Sequence, residues 1–314
     1  MLSDLATMVE ERAMRVAAID CGTNSIRLLI ADIEGKSFRE VLRTMEIVRL
    51  GQGVDKTGEF HPDAIARTLA AVDLFAVEIA RKGVQKIRFC ATSATRDATN
   101  RHLFIDGVKE RLGIEPEVIS GEEEAALSFA GAIQDLPQED GPFLVIDIGG
   151  GSTEFVYGQS SVEFAKSVNI GCVRMSERHF TQEPIGAQEI EDARRDIQEA
   201  IKVAASIVPI TKAKTLIAVA GTATTVAAAA LELPEYDRHS IHLSRISAEK
   251  THLVSQRFLS MTREERAALG YMHPGRVDVI SAGSLVLSEI MKATGAKEFI
   301  ACESDILDGM AWSI

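Results

Sequence analysis

Aromatic residues make up only 5% of this 314-residue chain, too little material for the base-stacking platforms of single-strand nucleic-acid binders. Positive charge is also short: 34 Lys and Arg stand against 46 Asp and Glu, a formal charge of −12. That balance argues against a general nucleic-acid or anionic-membrane binder. An anionic ligand would have to be held by local donors. The four cysteines, Cys21, Cys90, Cys172 and Cys302, form no CxxC spacing, which fits a reduced, cytoplasmic protein. No segment offers 18 uninterrupted apolar residues, and the opening MLSDLATMVEERAM interleaves charges with apolar positions. Neither a membrane span nor an export leader is expected. His239 and His242 lack a nearby Cys, Asp or Glu frame and read as surface or loop residues.

What the chain does have is 46% hydrophobic residues, ample for folded cores, and a length that fits about two domains. It also repeats itself. RVAAIDCGTNSIRLLIADI (15–33) and LVIDIGGGSTEFV (144–156) are each an apolar strand ending in Asp, a turn of small and hydroxylated residues, and a return strand. LPQEDGP (136–142) clusters Pro, Gly and acids and marks a linker, dividing the chain into halves at 1–136 and 137–314. Within the halves, strands alternate with helical periodicity, which gives an α/β class. PDAIARTLAAVDLFAVEIARKG predicts a helix with Pro62 in its first turn and Gly83 as its stop. GQGVDKTGE reads as a loop, and further helices are expected at about 221–231, 247–258 and 275–294.

The two matched turns carry the chemistry. Glycines remove the Cβ atoms that keep a polyanion off the main chain, and successive turn N–H groups can form an anion-binding concavity. The candidates are Gly22, Thr23, Asn24 and Ser25 in the first turn and Gly149, Gly150, Gly151, Ser152 and Thr153 in the second. Asp147 and Glu154 bracket the second turn as hard oxygen donors suited to Mg²⁺ or Mn²⁺ bridged to phosphate. SGEEEAALSF (120–129) opens a helix; Glu122 and Glu123 read as capping charge, while Glu124 is placed to activate water. ATSATRDATN (91–100) is a capped helix entrance or a clamp in which Arg96 grips a phosphoryl group. AVAGTATTVAAAA puts Gly221 and Thr222 at an anion-friendly helix start, or packs a small-residue helix tightly on its sheet. Arg276 and Asp278 either face the cleft or, the favoured reading, form a structural salt bridge.

Taken in order, AAIDCGTNSIRLLIADI, RLGQGVDKTGEF, ATSATRDATN, VISGEEEAAL, VIDIGGGSTEFV, NIGCVRMSE, AVAGTATT and PGRVDVISAG resemble the exopolyphosphatase and guanosine pentaphosphate phosphohydrolase (Ppx/GppA) enzymes, in their short two-domain form, within the actin, sugar kinase and Hsp70 superfamily. The resemblance implies two ribonuclease-H-like, actin-like α/β domains with substrate in the cleft between them. It implies water attack on a terminal phosphorus with Glu124 as general base, Arg96 as cleft arginine, and Asp147 and Glu154 as metal carboxylates. Asp20 would be a further metal or water-orienting carboxylate. The implied substrate is inorganic polyphosphate or guanosine pentaphosphate, and the implied assembly is a homodimer. An actin-like ATPase or sugar kinase would need an adenosine pocket after Gly221, where TATTVAAAA offers no side chain to grip a base. A non-catalytic binding module is the remaining alternative.

Overall fold

The apolar runs that end in Asp20 and Asp147 become the central strands of two sheets. The computed structural model describes residues 13–35 and 37–314; the opening segment through residue 12 lies outside them. The first sheet contains β1 (Met14–Cys21), β2 (Ser25–Glu34), β3 (Ser37–Ile47), β4 (Lys86–Ala91) and β5 (Glu117–Val118), in the order β3-β2-β1-β4-β5. The second contains β6 (Phe143–Ile148), β7 (Thr153–Gly158), β8 (Val162–Val168), β9 (Thr215–Val219), β10 (Ser244–Ser247) and β11 (Glu298–Ala301), in the order β10-β11-β9-β6-β7-β8. In both sheets the first three strands form an antiparallel meander, and the next strand returns parallel to the first of them. The sequence repeat is therefore a repeat of topology, to which the second sheet adds β10 as an antiparallel edge.

Helices cover the sheets: α1 (Val54–Thr57), α2 (Pro62–Lys82), α3 (Ser93–Asp97), α4 (His102–Leu112) and α5 (Gly121–Ala132) from the first half of the chain, and α6 (Cys172–His179), α7 (Ala187–Ala205), α8 (Ala220–Ala230), α9 (Arg238–Ile241), α10 (Ala248–Ser260), α11 (Arg263–Ala267), α12 (Ile280–Thr294) and α13 (Ile306–Trp312) from the second. α2 buries Ile65, Thr68, Val72, Phe75 and Ile79 on one stripe, starts at Pro62 and stops at Gly83, whose φ of 67° suits a residue without Cβ. Burying a side chain such as Phe75 or Val72 contributes on the order of 1.5–3 kcal/mol before cavity terms. The segment read as a loop, GQGVDKTGE, holds the single turn α1 between Gly53 and Gly58, both at positive φ. The helix expected from 275 to 294 divides into a 3₁₀ turn at Pro274–Arg276, with Pro274 at its first position, and α12 from Ile280. β10 was not expected; its sequence, SRIS, has a single fully apolar residue.

The lobes exchange a helix. α5 precedes residue 136 but lies on the second sheet, where Ala125, Phe129, Ala132 and Ile133 join Phe143, Val145, Val156, Ile217 and Val219. α13 ends the chain but lies on the first sheet, its Ile306, Leu307, Met310 and Ala311 against Val16, Ala18, Leu29 and Cys90. The two helices meet at glycines: a Cβ on Gly131 would stand 2.0 Å from the Asp305 carbonyl oxygen, and one on Gly309 2.0 Å from that of Leu127. Backbone therefore touches backbone where the lobes join. Among the described residues no helix is long and apolar enough to cross a membrane.

Candidate active site

Both hairpin turns close in the same way. Gly22 N donates to Ser25 O at 2.9 Å, and Gly149 N donates to Ser152 O at 3.0 Å. The turn carbonyls are then drawn away by the segment that follows each meander. In the first turn, Thr23 O accepts from Gly51 N (2.9 Å) and Asn24 O from Val48 N (3.1 Å) and Arg49 N (2.8 Å). In the second, Gly149 O accepts from Cys172 N (2.9 Å), Gly150 O from Val173 N (2.9 Å) and Arg174 N (3.1 Å), and Gly151 O from Gly171 N (3.2 Å). Because the peptide is planar and trans, fixing a carbonyl one way aims the next N–H the other way. Asn24, Gly150, Gly151 and Ser152 consequently present N–H groups with no backbone acceptor among the described residues. Asn24, Gly150 and Ser152 line the cleft between the lobes, with Gly22, Thr23, Ser25 and Gly149.

The glycine run also lets the lobes approach. A Cβ on Gly150 would stand 2.8 Å from Thr23 Cβ, and one on Gly151 2.6 Å from Ser93 Oγ and 2.8 Å from Thr23 Oγ1. Gly171 needs the same room, since its Cβ would fall 2.3 Å from the Gly150 carbonyl. Thr153, by contrast, points away from the cleft, its hydroxyl donating to Ile170 O at 3.0 Å.

Four carboxylates surround this space. Asp20 and Asp147 end the two central strands, Glu154 is the cross-strand partner of Asp147, and Glu124 comes from the first turn of α5. Each is buried. Asp20 Oδ2 accepts from Arg27 Nη2 (2.7 Å) and Nε (3.0 Å). Ser128 Oγ donates to Asp147, while Ser152 and Ser167 both donate to Glu154 Oε1 at 2.7 Å. Arg96 Nη1 donates to Glu124 Oε2 at 2.8 Å and to Ile119 O at 2.9 Å. Asp20, Glu124 and Asp147 line the cleft; Glu154 sits behind them.

Burial dominates their electrostatics. It pushes the Glu124 carboxyl up to about 7 against the pull of Arg96, with Asp147 and Asp20 adding to the rise. Burial likewise pushes Asp147 to about 6, with Asp305 adding to it and Ser128 opposing. Asp20 is raised by burial despite Arg27, and Glu154 is raised well above the carboxylate range by burial, Glu124 and Asp147. Raised values mean that the folded chain keeps protons the unfolded chain has released, so this stability is present at low pH and is lost as pH climbs through about 6 and 7. Without divalent cations, the urea midpoint should be higher at about pH 6 than at about pH 8. His252 and His273, lowered by burial, act in the opposite sense. The comparison is therefore made with Glu124→Gln, which should lose part of the wild-type difference.

No group of three or more His, Cys, Asp or Glu among the described residues is arranged as a metal cage. The donors present do suit Mg²⁺, which is usually held by one or two carboxylates together with substrate phosphates. Asp20 Oδ1 and Glu154 Oε2 are buried without a hydrogen-bond partner, which leaves carboxylate oxygens free beside Asp147.

The profile of the Ppx/GppA phosphatase family matches residues 29–314. The chain belongs to this family. It is 46% identical over 313 residues to Exopolyphosphatase 2 of Mycobacterium tuberculosis, covering 96% of this chain and 98% of that one. A guanosine-5'-triphosphate,3'-diphosphate pyrophosphatase of Vibrio parahaemolyticus is 34% identical over 59% of this chain and 37% of its own length. Among solved structures, an exopolyphosphatase-like protein superposes with a TM-score of 0.92 at 43% identity, covering 96% of this chain and 98% of that one. The Aquifex aeolicus Ppx/GppA enzyme gives 0.79 at 29% identity, covering 96% and 99%. The two lobes are thus the paired actin-like α/β domains of Ppx/GppA proteins.

Within this Ppx/GppA cleft, the arginine read as a phosphoryl clamp is not among the lining residues. Arg96 does not line it; Arg27 and Arg276 do. Arg27 was legible in principle, as a lone cation in an apolar strand directly opposite Asp20 in the hairpin register. Arg276, expected to pair with Asp278, does not: Asp278 is taken by Arg49 and Arg263, both at 2.7 Å. Arg276 instead donates to Thr225 Oγ1 at 2.9 Å and lies over the Tyr236 ring, 5.8 Å from its centroid. Gly221 makes room for it, since a Cβ there would stand 2.4 Å from Arg276 Nη2. Gly221 and Thr222 also line the cleft, whose volume is about 100 Å³. Past Arg27, Gly221 and Arg276 it gives way to a cavity of about 460 Å³ bordered by Arg43, Met45, Tyr236, Tyr271 and Met272. His242 has its Nε2 facing Asp135 at 3.4 Å, and its Nδ1 accepts from Glu303 N at 3.2 Å.

Proposed function

We propose that the chain is an exopolyphosphatase, releasing terminal orthophosphate from inorganic polyphosphate by attack of water. The carrying observation is the row of N–H groups presented by the two turns, with the carboxyl of Glu124 at the same cleft. The turn donors and Arg276 would hold the terminal phosphoryl group and meet charge as it develops on its oxygens. Glu124, as carboxylate, would take a proton from water as its oxygen bonds to phosphorus; the anhydride P–O bond breaks and the shortened chain leaves with that oxygen. Arg96 would hold Glu124 in place through their hydrogen bond. Asp147, with Asp20 or Glu154 as a second carboxylate, would hold Mg²⁺ or Mn²⁺, which supplies charge neutralisation for the phosphate oxygens. A cytoplasmic setting is supported by four buried free thiols. Assembly as a homodimer belongs to the same proposal and rests on the family resemblance.

A second reading has its own support. The cavity beyond Arg276, with Tyr236, Tyr271 and two methionines, suits a nucleoside better than bare phosphate, which favours guanosine pentaphosphate phosphohydrolysis. Phosphate release is to be followed with Mg²⁺ from short polyphosphate, long polyphosphate, guanosine pentaphosphate and ATP. Turnover of polyphosphate above the nucleotides is the expected result. Preference for guanosine pentaphosphate would select the second reading, and preference for ATP without polyphosphate turnover would sink both.

A further inference from the structure

Charged contacts from α6 also join the lobes, reaching α1 and α3. Arg174 is their centre, with only 11% of its side chain exposed. Its Nε donates to Gly151 O at 2.8 Å, Nη1 pairs with Asp55 on α1, and Nη2 pairs with Asp97 on α3 at 2.5 Å. One planar guanidinium thus joins the second phosphate turn to two acids of the other lobe. Neighbouring contacts run the same way: Glu177 accepts from Gly53 N at 3.2 Å, and Arg178 reaches Asp55 at 3.3 Å. Burial pushes the Asp55 carboxyl up, but its bonds to Arg178 and Arg174 outweigh that and leave it below its usual range. Behind the turns, Thr23, Gly51, Asp55, Gly151 and Arg174 enclose a space of only about 10 Å³.

We infer that Arg174 is a positioning residue that couples closure of the lobes to the anion-binding form of the second turn. It does not line the cleft. Its bond to Gly151 O, the shorter of two beside that from Gly171 N, holds that peptide plane, and the plane sets the direction of the N–H of Ser152, which lines the cleft. The other two arms of the fork are satisfied only when α1 and α3 stand against α6. Closing the lobes therefore sets the guanidinium, and the guanidinium sets the donor. Lysine cannot substitute, because an ammonium on a flexible stem has no planar fork to bridge three fixed acceptors.

The inference rests on the phosphohydrolase reading, and its test keeps the two apart. Arg174→Ala, Arg174→Lys and the double variant Asp55→Asn with Asp97→Asn are compared with the full-length wild type. The readouts are inorganic phosphate affinity by calorimetry, KM and kcat for polyphosphate, and compaction on phosphate binding by small-angle scattering. Arg174→Ala should weaken phosphate about tenfold and lower kcat/KM about 100-fold, the scale of a displaced binding group. Guanidinium ion should restore part of the loss, and Arg174→Lys should stay near Arg174→Ala. The double variant, which keeps the bond to Gly151, should still lose phosphate-induced compaction and most of the affinity. If Arg174→Ala does not fold, the double variant decides. Phosphate affinity and KM within about twofold of wild type in a folded Arg174→Ala, or in the double variant, overturn the inference alone. A wild type that releases no phosphate from any of the four substrates overturns the phosphohydrolase reading and this inference with it.

Discussion

Replacing Glu124 with Gln should lower kcat for phosphate release by about a thousandfold, within the range contributed by a positioned general base, while the fold persists. Gln keeps the carbonyl oxygen that accepts from Arg96 Nη1, so the side chain should hold its place at the start of α5. What it loses is the lone pair that accepts the proton of the attacking water. The wild type should lose activity below about pH 7, where burial holds the Glu124 carboxyl protonated, and a variant with no base there should lack that limb. Single-turnover phosphate release across pH measures both. Turnover of Glu124→Gln within about tenfold of wild type would remove Glu124 from the role of base.

A second large effect is expected on stability. Arg27, partly buried, lies between Asp20 of its own hairpin and Asp305 at the N-cap of α13, both buried, and pairs with both. Arg27→Met leaves two buried carboxylates without their cation, a change that costs about 3–5 kcal/mol when one partner of a buried pair is removed. The unpaired acids will take up protons to escape that cost. The loss should therefore be largest near neutral pH and shrink as pH falls. A fall of that size in the unfolding free energy from urea titration is the check. A fall below about 1 kcal/mol would place the pair among the weak surface bridges and remove Arg27 from the interlobe framework.

Local pattern made part of this protein readable. Asp20 and Asp147, each ending a β-branched strand before a small-residue turn, were visible because a hairpin and its glycines act within a dozen residues. Glu124 was visible for a related reason, as the third acid of a capped helix start. The partners of these groups were not. Arg276 reads as a mate for Asp278 two residues on, whereas Arg49 and Arg263, both remote in sequence, occupy Asp278. Arg96 looks like a clamp on substrate from its loop, but a hydrogen bond to Glu124 across 28 residues turns it inward. The exchange of α5 and α13 has no local signature either. Leu127 and Ile306 are apolar whichever sheet they cover, and only the assembled fold distinguishes the two outcomes.

That exchange decides what moves with what. α5 is encoded with the first lobe but rides on the second, and Ser128 ties it to Asp147. The proposed base Glu124 and the proposed metal acid Asp147 therefore sit on the same lobe, while Asp20 sits on the other. Arg96 belongs to that other lobe. Widening the cleft would draw Arg96 off Glu124 before it disturbed anything between Glu124 and Asp147. The enzyme would then carry Glu124 and Asp147 pre-assembled, and closure would serve as the timing step that brings Asp20, the arginine and the first turn to the anion.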